Sequence, residues 1–139
     1  MAEKRPHSSP FAAFIGVALE ELSDGYARLS LVLEPKHTNP HGVMHGGVVT
    51  TMMDSAMGAA LGRLRGDVVR DRPHATIEMN ASFLAAARPG DEIVVEGRVL
   101  KLGRTVAFGE AEARRQRDGE LIAKGRFTFA IPERPSAKD

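Results

Sequence analysis

Gly47–Gly62 reads GVVTTMMDSAMGAALG and follows directly on His45-Gly46. This stretch decides the fold. Its residues are small, apolar or hydroxyl-bearing, and Asp54 is the only charged one. Helical spacing sets Gly47, Thr51, Asp54, Gly58 and Gly62 on one stripe. Val49, Met52, Met53, Ala56, Ala59 and Ala60 fall on the other side, the predicted packed face. A carboxylate at mid-helix with so few polar neighbours loses hydration and needs a partner. Glycines on the same stripe leave room for a group to approach closely. The spacing therefore predicts one long helix, buried along one face, that carries a functional aspartate.

Upstream, Thr38-Asn39-Pro40-His41-Gly42 is turn chemistry, and its Pro and Gly forbid a continuous helix. The helix is predicted to start near Gly46 and to end around Leu64 to Gly66. Its first N–H groups are unpaired and carry the positive end of the helix dipole. Glycines leave those donors uncovered, so a carbonyl oxygen can dock on them. Asp54 lies roughly 12 Å further along a regular helix axis. One helix terminus and its own Asp cannot grip the same small bond. A symmetric dimer would bring the terminus of one subunit to the Asp of the other.

Working outward, Tyr26–Leu33 reads as a strand after the Asp24-Gly25 turn. From Thr76 to Phe83, Ile77, Met79, Ala81 and Phe83 alternate with polar residues, which predicts a half-buried strand. Arg88-Pro89-Gly90-Asp91 is a turn, and Ile93–Leu102 reads as the next strand. Thr105–Arg115 and Leu121–Ile131 form a hairpin across Asp118-Gly119. Leu121, Ala123, Phe127, Phe129 and Ile131 share one face of it. Phe11–Leu19 reads as a short helix packed on the domain. The N-terminal ~10 and C-terminal ~7 residues are expected to fray. The result is a single α+β domain spanning 1–139, a curled, mainly antiparallel sheet covering one long helix.

Composition agrees with one small enzyme domain. The chain has 139 residues and 42% hydrophobic content, enough for one core and short for two. A formal net charge of +1 gives no overall drive toward nucleic acid or anionic membrane. Arg114-Arg115-Gln116-Arg117 is the one basic cluster and reads as a solvated strand end. There is no cysteine, hence no disulfide, thiolate nucleophile or Cys-based metal site. His37, His41 and His45 recur every four residues, a helical metal-ligand spacing, but Pro40 and Gly42 break the helix that would give it meaning. No metal is expected. No signal peptide or membrane span is read, and cytoplasm is the default compartment.

Asn39-x-x-Gly42-x-x-His45-Gly46-Gly47, followed by Asp54, resembles the signature of hotdog-fold acyl-CoA thioesterases of the phenylacetate-pathway (PaaI-like) type. The resemblance extends from Phe14 to Ile131 and includes Glu78-Met79-Asn80 and Val99–Phe108. It implies a hotdog fold, a homodimer with a continuous sheet, and pairing of dimers into a homotetramer. It also implies hydrolysis of an acyl-CoA thioester with no cofactor beyond that substrate. Asp54 would be general base or nucleophile, and the sequence does not choose. Gly46 would polarise the thioester oxygen through its amide. His45 and Asn39 match positions near the thioester and the carboxylate, and Thr76 matches a hydroxyl that holds the attacking water. The CoA moiety would lie along Gly47, Phe83, Leu84 and Arg88, and along Lys101, Gly103, Arg104 and Thr105, with the cations meeting phosphates.

Two other classes share such a fold: an enoyl-CoA hydratase or dehydratase, and a non-catalytic acyl-CoA-binding protein. The former is expected to place its His and acid in differently spaced motifs. The latter needs an output module, and none is read here.

Overall fold

The computed structural model describes residues 3–133. Its elements are β1 (Arg5–Pro6), α1 (Pro10–Ile15), β2 (Ala18–Ser23), β3 (Tyr26–Val32), α2 (Gly46–Arg65), β4 (Ala75–Phe83), β5 (Glu92–Leu102), β6 (Val106–Arg115) and β7 (Leu121–Ala130). Short 3₁₀ turns occupy Pro35–His37 and Gly66–Arg70. All strands join one antiparallel sheet in the order β1-β2-β3-β5-β6-β7-β4. The helix α2 lies in its concave face, the hotdog arrangement.

The helix boundaries follow from local chemistry. His45 caps the start of α2 by accepting from the Gly47 amide, and Gly66, at φ 72°, ends it. Val49, Met52, Met53, Ala56, Met57, Ala60 and Leu61 are fully buried. Ala59, expected on this face, is only partly buried, because the packed stripe runs through Met57 and Leu61 instead.

Strand register explains how the helix comes so close to the sheet. Ala27, Gly97, Ala111, Gly125 and Ala81 are successive cross-strand partners on β3, β5, β6, β7 and β4. This row of small residues is a trough beneath α2. A Cβ on Gly97 would stand 3.1 Å from the Ala56 carbonyl carbon, and one on Gly125 would stand 3.4 Å from the Met53 Cε. Interiors pack this closely only where side chains leave the space.

Four expectations are corrected. The helix α1 is shorter than Phe11–Leu19: Pro10 starts it, Ser9 caps it, and Gly16 at φ 102° stops it. Ala18–Ser23 then forms β2, paired through the Asp24-Gly25 turn, and a bulge between Leu19 and Glu21 breaks the alternation that would have revealed it. The N-terminus is not frayed throughout, since Arg5–Pro6 pairs with β2 and Lys4 bridges Glu20 and Glu92. Of the C-terminal residues expected to fray, 134–139 lie outside the described part.

The strand β4 is correct in place but not half-buried. It forms one edge of the sheet and is exposed along nearly its whole length, including Ile77 at 60% and Phe83 at 58%. Finally, the basic cluster is not simply solvated. Arg115 is almost covered, donates to Asp118 and the Ala86 carbonyl, and pairs with Glu120. It thus ties the β6–β7 hairpin to the loop after β4.

Candidate active site

Asp54 sits at mid-helix on the uncovered stripe of α2, half-buried. The Thr76 hydroxyl donates to its Oδ1 at 2.7 Å. Thr76 stands at the start of β4, where its Cα partner on β7 is Phe129, so it faces the helix side of the sheet. A bulge between Thr76 and Glu78 aims it there. No second protein donor reaches the Asp54 carboxylate among the described residues, so Oδ2 is open to a ligand or water. The two groups are 22 residues apart in the chain, and the fold alone unites them.

The start of α2 forms a second centre. His45 Nδ1 accepts the Gly47 amide at 2.8 Å, and the Val48 amide donates to the His45 carbonyl at 2.9 Å. Among the described residues no protein group accepts from the Gly46 amide, which remains a free donor at the positive end of the helix. Gly47 is explained by the cap, because a Cβ there would lie 2.9 Å from His45 Nδ1. With Nδ1 accepting, the donor position left to the exposed His45 ring is Nε2. The Phe83 ring covers the first turn of α2, its Cε1 3.2 Å from where a Gly46 Cβ would be.

Asn39 holds the loop before the helix. Its Oδ1 accepts from the amides of His41 and Val43 at 2.9 and 3.4 Å. The Met44 amide donates to the Ala87 carbonyl, tying this loop to the segment after β4. A groove of about 440 Å³ opens between them, lined by Asn39, Val43, Gly46, Phe83, Leu84 and Ala86 among others.

The residues read as site components thus divide into two groups. Asn39, His45, Gly46, Gly47, Phe83 and Leu84 gather at the start of α2. Arg88 follows in the next turn, its amide donating to Asp91 Oδ2 at 2.9 Å. Asp54 and Thr76 belong to the other group. Thr76, Phe129, Ala107 and Leu102 are successive cross-strand partners, so the β5–β6 turn lies at this end. Lys101, Gly103, Arg104 and Thr105 surround that turn. The Gly103 amide closes it on the Val106 carbonyl at 2.8 Å, and Arg104 pairs with Glu133 at 3.2 Å. Arg88 precedes β5 and Lys101 stands near the far end of that strand, separated by roughly 30–40 Å of extended chain. One subunit cannot bring both to one phosphate.

The three histidines of the motif region do different jobs. His37 is buried and uses both ring nitrogens, one for the Glu34 amide and one for the Ile15 carbonyl. His41 is exposed in the turn. No cluster of three metal-ligating groups occurs among the described residues. No described helix is long and apolar enough to cross a membrane.

Sequence reasoning passed over two residues beside Asp54. His7 lies against the Ser55 backbone and His74 against Gly58, and burial holds both imidazoles below their usual value. A backbone hydrogen bond works against burial in each case, and Arg65 adds to the lowering at His74. Neither carries a motif, and only tertiary packing reveals them.

The family model described as the thioesterase superfamily matches residues 41–122. Acyl-coenzyme A thioesterase 13 of Mus musculus is 36% identical over 96 residues, 69% of this chain and 66% of that protein. The solved zebrafish thioesterase superfamily member 2 is 31% identical with a TM-score of 0.80, over 90% of this chain and 89% of that one. A Streptococcus pneumoniae protein described as a hypothetical thioesterase, solved with coenzyme A, is 22% identical with a TM-score of 0.78, over 91% of this chain and 93% of that one. At that identity the likeness is one of fold. The chain spans 60–66% of the length of the first curated relatives it matches.

Proposed function

The chain belongs to the thioesterase superfamily, and from that premise we propose that it hydrolyses an acyl- or aryl-CoA thioester to the free acid and CoA. The observation that carries this reading is the 2.7 Å bond from Thr76 to Asp54. It leaves Oδ2 of the carboxylate and the lone pairs of the hydroxyl free, side by side. A water donating one proton to each directs its oxygen outward at a carbonyl carbon. As the new C–O bond forms, its proton passes to Asp54, and the carbonyl oxygen takes up negative charge. The Gly46 amide is suited to hold that charge at the helix terminus. When the C–S bond breaks, Asp54 returns the proton to the CoA thiolate. Direct attack by the carboxylate is the other route, and trapping of solvent ¹⁸O in the enzyme separates the two.

Gly46 and Asp54 of one subunit are about 12 Å apart along α2, too far to act on one carbonyl. The site is therefore completed by two copies, with the Gly46 amide of one meeting Asp54 and Thr76 of the other. The open edge of β4, with its exposed Ile77 and Met79, supports such pairing. The same pairing brings the Arg88 end of one subunit to the Lys101–Thr105 end of its partner, where CoA phosphates need cations. The family resemblance extends this to a dimer of dimers.

The test is CoA release, read with a thiol reagent, across aryl-CoA and short- to long-chain acyl-CoA esters. The chain has no cysteine, so it adds no thiol background. Turnover is expected with at least one ester, and Asp54→Asn should lower it by at least ~100-fold while the fold survives. Activity near wild type in folded Asp54→Asn protein removes the catalytic assignment.

A further inference from the structure

The glycine spacing of α2 predicts that some group approaches the helix closely beyond Asp54. At Gly62 that group is the ring of His74, whose Cε1 stands 3.8 Å from where a Gly62 Cβ would be. We propose that His74 is a positioning residue, docking the start of β4 on α2 so that the Thr76 hydroxyl meets Asp54. The kinetic part of this inference rests on the thioester-hydrolysis reading above.

Three contacts fix the ring. Nδ1 lies 3.0 Å from an Arg65 guanidinium nitrogen, and Nε2 lies 3.2 Å from the Gly58 carbonyl oxygen. A guanidinium only donates, so Nδ1 is the acceptor and Nε2 carries the proton to Gly58. The ring also meets Phe129 edge-on, with centroids 5.5 Å apart and planes at 87°.

Each contact bears on the site. Gly58 is one turn past Asp54 on the same stripe. Phe129 is the cross-strand partner of Thr76, and His74 precedes Thr76 by two residues. A closed circuit results: Asp54 to Gly58 through the helix, Gly58 to His74 through a hydrogen bond, His74 to Thr76 through the chain, and Thr76 back to Asp54. Within one subunit Thr76 needs such an anchor, because it sits on an edge strand beside a bulge, with β7 on one flank only.

The circuit requires a neutral ring. Among the described residues, the charged group facing it is Arg65 from α2. Arg72 adds positive charge beyond Arg65, while Phe129 on β7 is neutral. A proton on Nδ1 would point at a donor and set a second positive charge beside the first.

The test uses the full chain and compares wild type with His74→Ala and His74→Gln. The Gln amide keeps a donor for Gly58 and an acceptor for Arg65, but does not titrate. Expected is a fall in kcat of about 10-fold or more for His74→Ala with KM within about twofold, since the defect is one of alignment. His74→Gln should recover most of kcat, since its amide keeps both hydrogen-bond roles. Wild-type kcat in His74→Ala, or no recovery of kcat in His74→Gln, overturns the proposal.

A second readout needs no turnover. Long-range ¹H–¹⁵N spectra of wild type at pH 7 should show His74 neutral and protonated on Nε2, and the Thr76 amide should shift in His74→Ala. The other tautomer, or an unmoved Thr76 signal, overturns the docking. Absence of CoA release in wild type with these spectra as expected would instead remove the hydrolytic reading and leave the docking standing.

Discussion

Replacing Gly97 with alanine adds one methyl group where α2 lies on the sheet. That methyl would meet the Ala56 carbonyl carbon and the Met57 Sδ at 3.1 Å and the Ala56 Cβ at 3.2 Å. Carbon contacts settle near ~3.5–4.0 Å, so something must give by several tenths of an ångström. The Met57 thioether can swing away, but the Ala56 backbone belongs to a buried helix and cannot. Overpacking of this kind costs roughly 1–3 kcal/mol. Removing a glycine from a strand interior offsets about 0.5–1 kcal/mol of that. The net expectation is a loss centred on ~1 kcal/mol and no larger than about 2.5 kcal/mol, or roughly 4 °C in Tm at the centre for a domain of this size. The assay is thermal unfolding followed by circular dichroism, at one fixed protein concentration because assembly also shifts Tm. Ala56 is two residues past Asp54, so retreat of the helix should also stretch the Thr76–Asp54 bond and slow turnover by about 3–10-fold. A Tm equal to or above wild type refutes the trough argument.

Two further outcomes follow from the site. Thr76→Val keeps the shape and removes the hydroxyl, so kcat should fall about 10-fold or more with little change in KM; an unchanged kcat would show that Asp54 holds its water alone. His7 and His74 are held below the ordinary value of 6.5 chiefly by burial, so the unfolded chain takes up their protons first. Their stabilisation is present above about pH 6.5 and lost as pH falls through the lowered folded values. Tm should therefore drop between pH 7.5 and 5, less steeply in His74→Gln; an equal slope in wild type and variant would show that His74 does not contribute.

The helix and its aspartate were legible because a single element carries them. Small and apolar residues at helical spacing declare the face, and a lone charge declares the exception. The strands β5, β6 and β7 were legible through the turns that bound them, Arg88–Asp91 and Asp118-Gly119, and β7 also through the apolar residues on one of its faces. The β2 strand was not, because the bulge at Glu20 shifts its phase and its glutamates imitate a loop. Alternation in β4 suggested burial, yet it reports only which residues share a side, and β4 is an edge strand that stays exposed along nearly its whole length. The small-residue row across five strands is invisible until register is known. The partners of Arg115 were within reach, since Asp118 and Glu120 follow in the same turn, but a run of cations conceals the one that is paired. His74 gave no signal at all: its meaning lies wholly in the distance between two elements.

The division of the site along β4 leads to one last expectation. Thr76 marks the Asp54 end of that strand and Phe83 marks the Gly46 end. Antiparallel pairing of β4 with its copy exchanges these ends, which is what completion of the site requires. Directly opposed residues must share a face of the sheet, so the two-fold axis falls at a residue position. With Asn80 on the axis, Ala81 faces the partner's Met79, Ser82 faces the partner's Glu78, and Phe83 reaches the bulge at the partner's Thr76 and Ile77. Asn80 would then face its own copy, with Cβ atoms about 4.5–5.5 Å apart. The natural chain has no cysteine, so a lone Asn80→Cys thiol has only its symmetry mate to find. Mild oxidation should convert this variant to a disulfide-linked dimer. Lys124→Cys, on the neighbouring strand β7 and the same face, should stay monomeric on a denaturing gel. Cross-linking at Lys124 and none at Asn80 would place the dimer contact elsewhere, and the Gly46 amide and Asp54 would then have no shared carbonyl to act on.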